Sequence, residues 1–170
     1  MKIRAPNHPA RYLRLLWAAA FLVPLAAAAS STDDEVNRVL ASSQAPDGIA
    51  FEIVTNRADT LRWAVPAVRR YAAKLRKRFP KLPIAVVSHG DEEFALTKAN
   101  RNRYRKVHQG IQSLRADNIP VTVCEAYAEM HKVSPQDFPD YVEIAPTGPS
   151  EIRAYREFGY HVIRVERPEP

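Results

Sequence analysis

One cysteine, Cys124, stands alone in a chain of 170 residues. It closes the apolar run IPVTVC and precedes a segment with helical character. At a helix start, free N–H groups and the helix dipole favour a thiolate over a thiol. A thiolate there can attack sulfane sulfur and hold it as a persulfide, one of the reversible caps a cysteine carries. The opposite reading is an inert buried thiol, because free cysteine is among the most buried residue types. Glu125 follows at once, and a carboxylate turned toward the sulfur opposes its ionisation. A single thiol closes no intramolecular bridge, so Cys124 reads as a buried inert thiol, an intermolecular partner or a reactive group. His89 ends a second apolar run, IAVVSHG, followed by Gly90. It could protonate a leaving group or stabilise a thiolate, or simply bond a neighbouring carbonyl. Ser88 and His89 are adjacent and point to opposite faces of a strand, which makes them a poor nucleophile–base pair.

Other chemistries find less support. His89, His108, Cys124 and His131 show no close ligand pair of the C-x-x-C or H-x-x-x-H kind, so no metal site is assigned. His108 and His131 read as structural or solvated. No Walker loop, G-x-G-x-x-G or G-x-S-x-G motif is present, and no cofactor is expected.

Those residues need elements to hold them. Gly48 introduces a first strand over residues 49–55. Leu61, Val65, Val68, Ala72, Leu75 and Phe79 recur at helical spacing, with Pro66 inside the pattern as either a kink or a first turn. Residues 84–90 form an unbroken apolar strand of the type buried on both faces in parallel sheets. Tyr104, Val107, Ile111 and Leu114 mark the next helix, which Asn118 closes. Residues 119–124 give a third strand, 125–131 a short helix and 142–145 a fourth strand. Thr147, Gly148, Pro149 and Ser150 start a helix that Gly159 caps, and residues 160–165 make the last strand. The alternation predicts a single Rossmann- or flavodoxin-like α/β domain over residues 48–166. About five mostly parallel strands carry helices on both faces. Ligands of such sheets bind beyond the strand carboxyl ends, near a switch in strand order, and both His89 and Cys124 end strands.

The N-terminal residues 1–29 read as a signal peptide. Lys2, Arg4, Arg11 and Arg14 precede a fifteen-residue apolar stretch, Leu15 to Ala29, which is shorter than the roughly 20 residues of a bilayer span. Ala27-Ala28-Ala29 supplies the small-residue cleavage pattern. The expectation is a periplasmic protein with no membrane segment after leader removal, although an uncleaved anchor stays open. Residues 30–47 read as a flexible segment and 167–170 as a polar tail. Of the +6 formal charge, 25 basic against 19 acidic, four basic residues lie in the leader, which leaves +2. The dense cluster Arg69, Arg70, Lys74, Arg76, Lys77, Arg78 and Lys81 therefore reads as a solvated helix face. No nucleic-acid partner is expected.

The ordered pieces IAVVSHG, IPVTVC, DFPDYVEIAPTGPSEI and FGYHVI, spanning residues 49–165, resemble the DsrE/DsrF-like family of small α/β sulfur-relay proteins. The resemblance implies a Rossmann-like domain assembling as homotrimers or homohexamers. It matches Cys124 to the persulfide-carrying cysteine and His89 to a strand-end histidine. Gly90, Glu125, Thr147 and Gly148 are the expected binding residues around them. Two readings follow. One is an exported sulfur-transfer protein that works with a small sulfur compound or a thiol protein partner. The other is a non-catalytic oligomeric module for a small ligand or metal, with a buried structural cysteine.

Overall fold

The computed structural model describes residues 31–167, together with Met1. Apart from Met1, the leader (residues 1–29) and most of the tail lie outside the described residues. Five strands form one all-parallel sheet: β1 Gly48–Ile53, β2 Ile84–Ser88, β3 Val121–Cys124, β4 Glu143–Ala145 and β5 Tyr160–Arg164, in spatial order β4-β3-β2-β1-β5. Every neighbouring pair is parallel, in agreement with the sequence-based expectation.

The strands are short apolar runs because both of their faces are covered. Ile49, Phe51 and Ile53 on β1, Ile84 and Val86 on β2, and Val121 and Val123 on β3 face one side and join the main core. Helices α2 Leu61–Arg78 and α3 Arg105–Ala116 pack on that side and on each other. Their buried stripes contain every residue named from the periodicity, Leu61 through Phe79 and Tyr104 through Leu114. The two helices approach closely at Gly110, where an added Cβ would stand 2.5 Å from Val65 Cγ1. The alternate side chains, Ala50, Ala85, Val87, Thr122 and Cys124, form a second buried layer. Helix α5 Gly148–Glu157 lies over that layer: Gly148 meets His89, and the tilted rings of Tyr155 and Tyr160 pack with centroids 4.9 Å apart. Right-handed crossovers require this split. The chain steps one way from β1 to β4, then returns across the sheet to β5, so the return helix takes the other face.

Local signals act where expected. Asn118 (φ 54°) and Gly159 (φ 79°) adopt the left-handed conformation at the ends of α3 and α5. Thr147 caps α5 by accepting the Ser150 N–H at 3.1 Å. The chain enters α2 through a 3-10 turn, Ala58–Thr60. Pro66 then sits inside the helix on its exposed side, where water can solvate the carbonyl that its missing N–H leaves free.

One expectation is corrected. Residues 30–47 contain a helix, α1 Thr32–Ala41, with a reciprocal capping box between Ser31 and Asp34. Val36 and Val39 bury against the core. The Thr32 hydroxyl, 2% exposed, donates to Arg164 O at 3.0 Å and accepts from Glu166 N at 2.8 Å. The high polarity of this stretch concealed a short apolar stripe, Val36 and Val39 with Leu40 beside them, which is enough to dock a ten-residue helix. Part of the basic cluster is likewise tied down. The Arg76 guanidinium donates to the carbonyls of Leu82 and Asp117, and Arg78 donates to Ser42 O.

Replacing Thr32 by valine keeps the shape and removes both hydrogen bonds. The part-buried Arg164 carbonyl and Glu166 amide then lose this partner, at a cost of about 0.5–1.5 kcal/mol per hydrogen bond. Urea melts should show that loss, together with faster proteolysis between residues 31 and 47. Unchanged stability would mean that α1 is held by its apolar stripe alone.

Candidate functional site

The carboxyl ends of β1, β2 and β3 bring the site residues together. A parallel sheet sends all of these ends to one edge, where the strand ladder runs out of partners. Glu92 supplies them. Its side chain is fully buried at 0% exposure. Oε1 accepts from Ser88 Oγ at 2.9 Å and Gly90 N at 3.1 Å, and Oε2 accepts from Thr55 N at 2.8 Å and Thr55 Oγ1 at 3.1 Å. The exits of β1 and β2 are thereby clamped by one carboxylate. Gly90, expected as a binding residue, has a packing role here: a Cβ would meet Thr55 O at 2.4 Å and Glu92 Oε2 at 2.8 Å.

The next residue, Glu93, performs the same service for β3. Its Oε2 accepts the Cys124 N–H at 3.0 Å, while Oε1 is buried with no hydrogen-bond partner. Burial is the main cause that pushes its carboxyl up to about 8, with the adjacent Glu92 charge adding to it and the Cys124 N–H opposing it. Glu93 is therefore mostly a neutral acid at pH 7. Both glutamates escaped the sequence reading, although the run GDEEF directly after a buried strand end was the available signal. Three acids in succession at such a place need partners, and strand-exit N–H groups provide them.

Cys124 is 4% exposed. It is the N-cap of the short helix α4 Glu125–Met130, and its Sγ accepts the Tyr127 N–H at 3.3 Å. The Tyr127 hydroxyl donates to Asp91 Oδ1 at 2.6 Å, and that bond is the first cause raising its phenol to about 12. The Tyr127 ring lies against His131 and Phe94, with centroids 4.8 and 5.8 Å away. Glu125 opens α4, is partly exposed, and makes no side-chain hydrogen bond with the described residues.

His89 stands beside Cys124 in the register: Ser88 pairs with Val123, and the next step sets residues 89 and 124 side by side on the same face. Its ring nevertheless turns the other way. Nε2–H donates to Glu52 Oε1 on β1 at 2.9 Å. This bond is the main cause that holds the Glu52 carboxyl below its usual range. Gly148 packs directly on His89, where a Cβ would stand 2.2 Å from the histidine Cβ. The structure thus joins His89 to Glu52 and Gly148, and Cys124 to Glu93 and Tyr127. Thr147 serves α5 as its cap. His108 is buried, and burial lowers its pKa. The neutral ring donates from Nε2 to Ala95 O at 3.0 Å and accepts at Nδ1 from the Tyr141 hydroxyl at 2.5 Å. Among the described residues no group of three or more His, Cys, Asp or Glu could hold a metal ion, and no helix is long and apolar enough to cross a membrane.

Fold and site together define a single-domain, all-parallel α/β protein with one buried cysteine at a strand exit. No family model matches the sequence, and no curated protein does. Solved structures do resemble it. A protein of unknown function, MTH1491 from Methanobacterium thermoautotrophicum, superposes with a TM-score of 0.57 at 16% identity, over 68% of this chain and 96% of that one. The ychN protein from E. coli superposes with a TM-score of 0.51 at 19% identity, over 69% of this chain and 98% of that one. At these identities the likeness shows the fold alone.

The state of Glu93 has a measurable consequence. Its folded pKa of about 8 lies above the ordinary 4.5, so the folded chain holds the proton more tightly. The stability gained from protonation is complete below pH 4.5 and is lost as pH rises through 8. The slope is at most about 1.4 kcal/mol per pH unit for one group. Urea melts of Glu93→Gln between pH 5 and 8 should be flatter than those of the wild type by up to that slope. Parallel curves would show that Glu93 is ionised in the folded chain.

Proposed function

We propose that this chain is a member of the DsrE/DsrF-like family and an exported sulfur carrier, with Cys124 as the seat of a persulfide. The observation that carries the reading is the setting of the sulfur. Sγ accepts the Tyr127 N–H at 3.3 Å at the end of a parallel strand, an arrangement that suits an anionic sulfur better than a neutral one. The step is an exchange between sulfurs. The Cys124 thiolate attacks the sulfane sulfur of a polysulfide or thiosulfate; a new S–S bond forms as the old one breaks. A shortened polysulfide or sulfite departs with the electron pair, so the exchange needs no outside oxidant. His89 is held by Glu52 rather than by the sulfur, so its role here is to shape the rim beside Cys124. Glu93 contributes a neutral acid beneath the Cys124 amide rather than a second negative charge. Assembly as a homotrimer or homohexamer belongs to the same proposal.

The 4% exposure of Cys124 favours a second reading, a small-ligand module in which the thiol is structural. The two differ in one measurement. After brief exposure to polysulfide or thiosulfate, intact mass spectrometry of the carrier should show gains of whole sulfur atoms. The gain should disappear with reductant and be absent from Cys124→Ser. A protein that gains no sulfur, and whose Cys124 alkylates only on unfolding, is the module instead.

A further inference from the structure

The strand order places its switch point between β1 and β5, because the chain leaves β1 toward β2 and returns to the opposite side of β1 only at the end. In open parallel sheets the splayed connections at such a point leave a crevice beyond the strand ends. A cleft of about 640 Å³ lies there, formed by the residues that follow β1 and those that end β5. Its size matches that of small-ligand sites, which span about 300–1,000 Å³. Neither Cys124 nor His89 lines it.

Its lining is specific. Arg57, Arg62, Arg164 and Arg167 face Asp59 and Glu166, four cations against two anions. Arg62 is occupied by Asp59 at 3.0 Å. The side chains of Arg57 and Arg167 have no hydrogen-bond or ion-pair partner among the described residues, and both are exposed. Arg164 also ends β5 exposed, with Glu52 as its nearby countercharge. The eighteen-residue helix α2 begins at this cleft, so its positive end shares the space with Asp59 of the turn that leads into it. One wall is the half-buried ring of Trp63, a planar surface beside planar guanidinium groups.

We infer that the cleft between β1 and β5 binds a small organic anion, with a phosphate or carboxylate head held by Arg57 and Arg164 and a planar apolar body against Trp63. Two exposed guanidinium groups, Arg57 without a partner and Arg164 near Glu52, match such a head by forked hydrogen bonding. The ring requirement separates this ligand from a bare inorganic anion. The site is independent of sulfur binding.

The test is NMR titration of the full chain, following the Trp63 indole N–H, identified with a Trp17→Phe variant. The probes are phenyl phosphate, benzoate, inorganic phosphate and benzyl alcohol. Phenyl phosphate or benzoate should shift the signal saturably, with half-saturation below about 1 mM, the range of a modest specific contact. Inorganic phosphate and benzyl alcohol should each bind at least about tenfold more weakly, because each lacks one of the two recognised parts. Arg57→Gln and Arg164→Gln, both at exposed positions, should each weaken binding about tenfold, while Cys124→Ser should bind like the wild type. The inference is overturned if neither organic anion saturates by about 10 mM. It is equally overturned if inorganic phosphate or benzyl alcohol binds as well as the organic anions, or if both arginine variants bind unchanged in a folded protein.

Discussion

Five parallel strands deliver five sets of exiting backbone groups to one edge of the sheet, and those groups must be hydrogen-bonded where water is scarce. At the exits of β1, β2 and β3 the protein meets this need with two consecutive buried glutamates. Glu92 gathers four donors from the exits of β1 and β2, while Glu93 takes the amide of Cys124 on β3. A carboxyl with four donors is well satisfied; one with a single donor is not, and burial pushes its pKa up to about 8. The two side chains are neighbours in sequence and share one environment. Their different partners set their different roles.

The geometry of everything near Cys124 depends on that clamp. The 3-10 turn Asp91–Leu96 that carries both glutamates also presents Asp91 to Tyr127 and Phe94 to the Tyr127 ring. Tyr127 in turn offers its N–H to the sulfur. One six-residue turn therefore orients the short helix α4 from three directions. On the neighbouring strands the Glu52–His89 pair, with side chains 17% and 11% exposed, fills the space under the start of α5. Gly148 is there because nothing larger fits against the imidazole.

The two edges of the sheet are treated differently. β4 has three residues, and its exposed Glu143 pairs with Arg115 at 3.0 Å, a short and charged edge that discourages pairing with another chain. β5 is guarded at its end by α1, through Thr32. Between β5 and β1 the crossover topology opens the arginine-lined cleft, two strands away from the cysteine. The same strand order thus produces two separate chemical environments on one edge.

Hydrophobic pattern alone determined most of the architecture. The buried runs at 49–53, 84–88 and 121–124 follow from unbroken apolar segments, and the helical stripes of α2 and α3 from a period of 3.6 residues, signals that depend only on neighbours in the chain. Asn118, Thr147 and Gly159 announced helix ends for equally local reasons. The helix α1 was hidden because its apolar stripe is short, Val36, Val39 and Leu40, and because it docks on α2 and on β5, the latter more than a hundred residues further on. Partnerships of polar side chains were decided only in three dimensions. Nothing near His89 in sequence says that it bonds Glu52 on another strand. Nothing in GDEEF says which acid will be neutral, because that depends on how many donors from distant strands converge on each carboxyl. The position of the switch-point cleft is likewise a property of strand order, which is fixed by the handedness of successive crossovers and not by any residue taken singly.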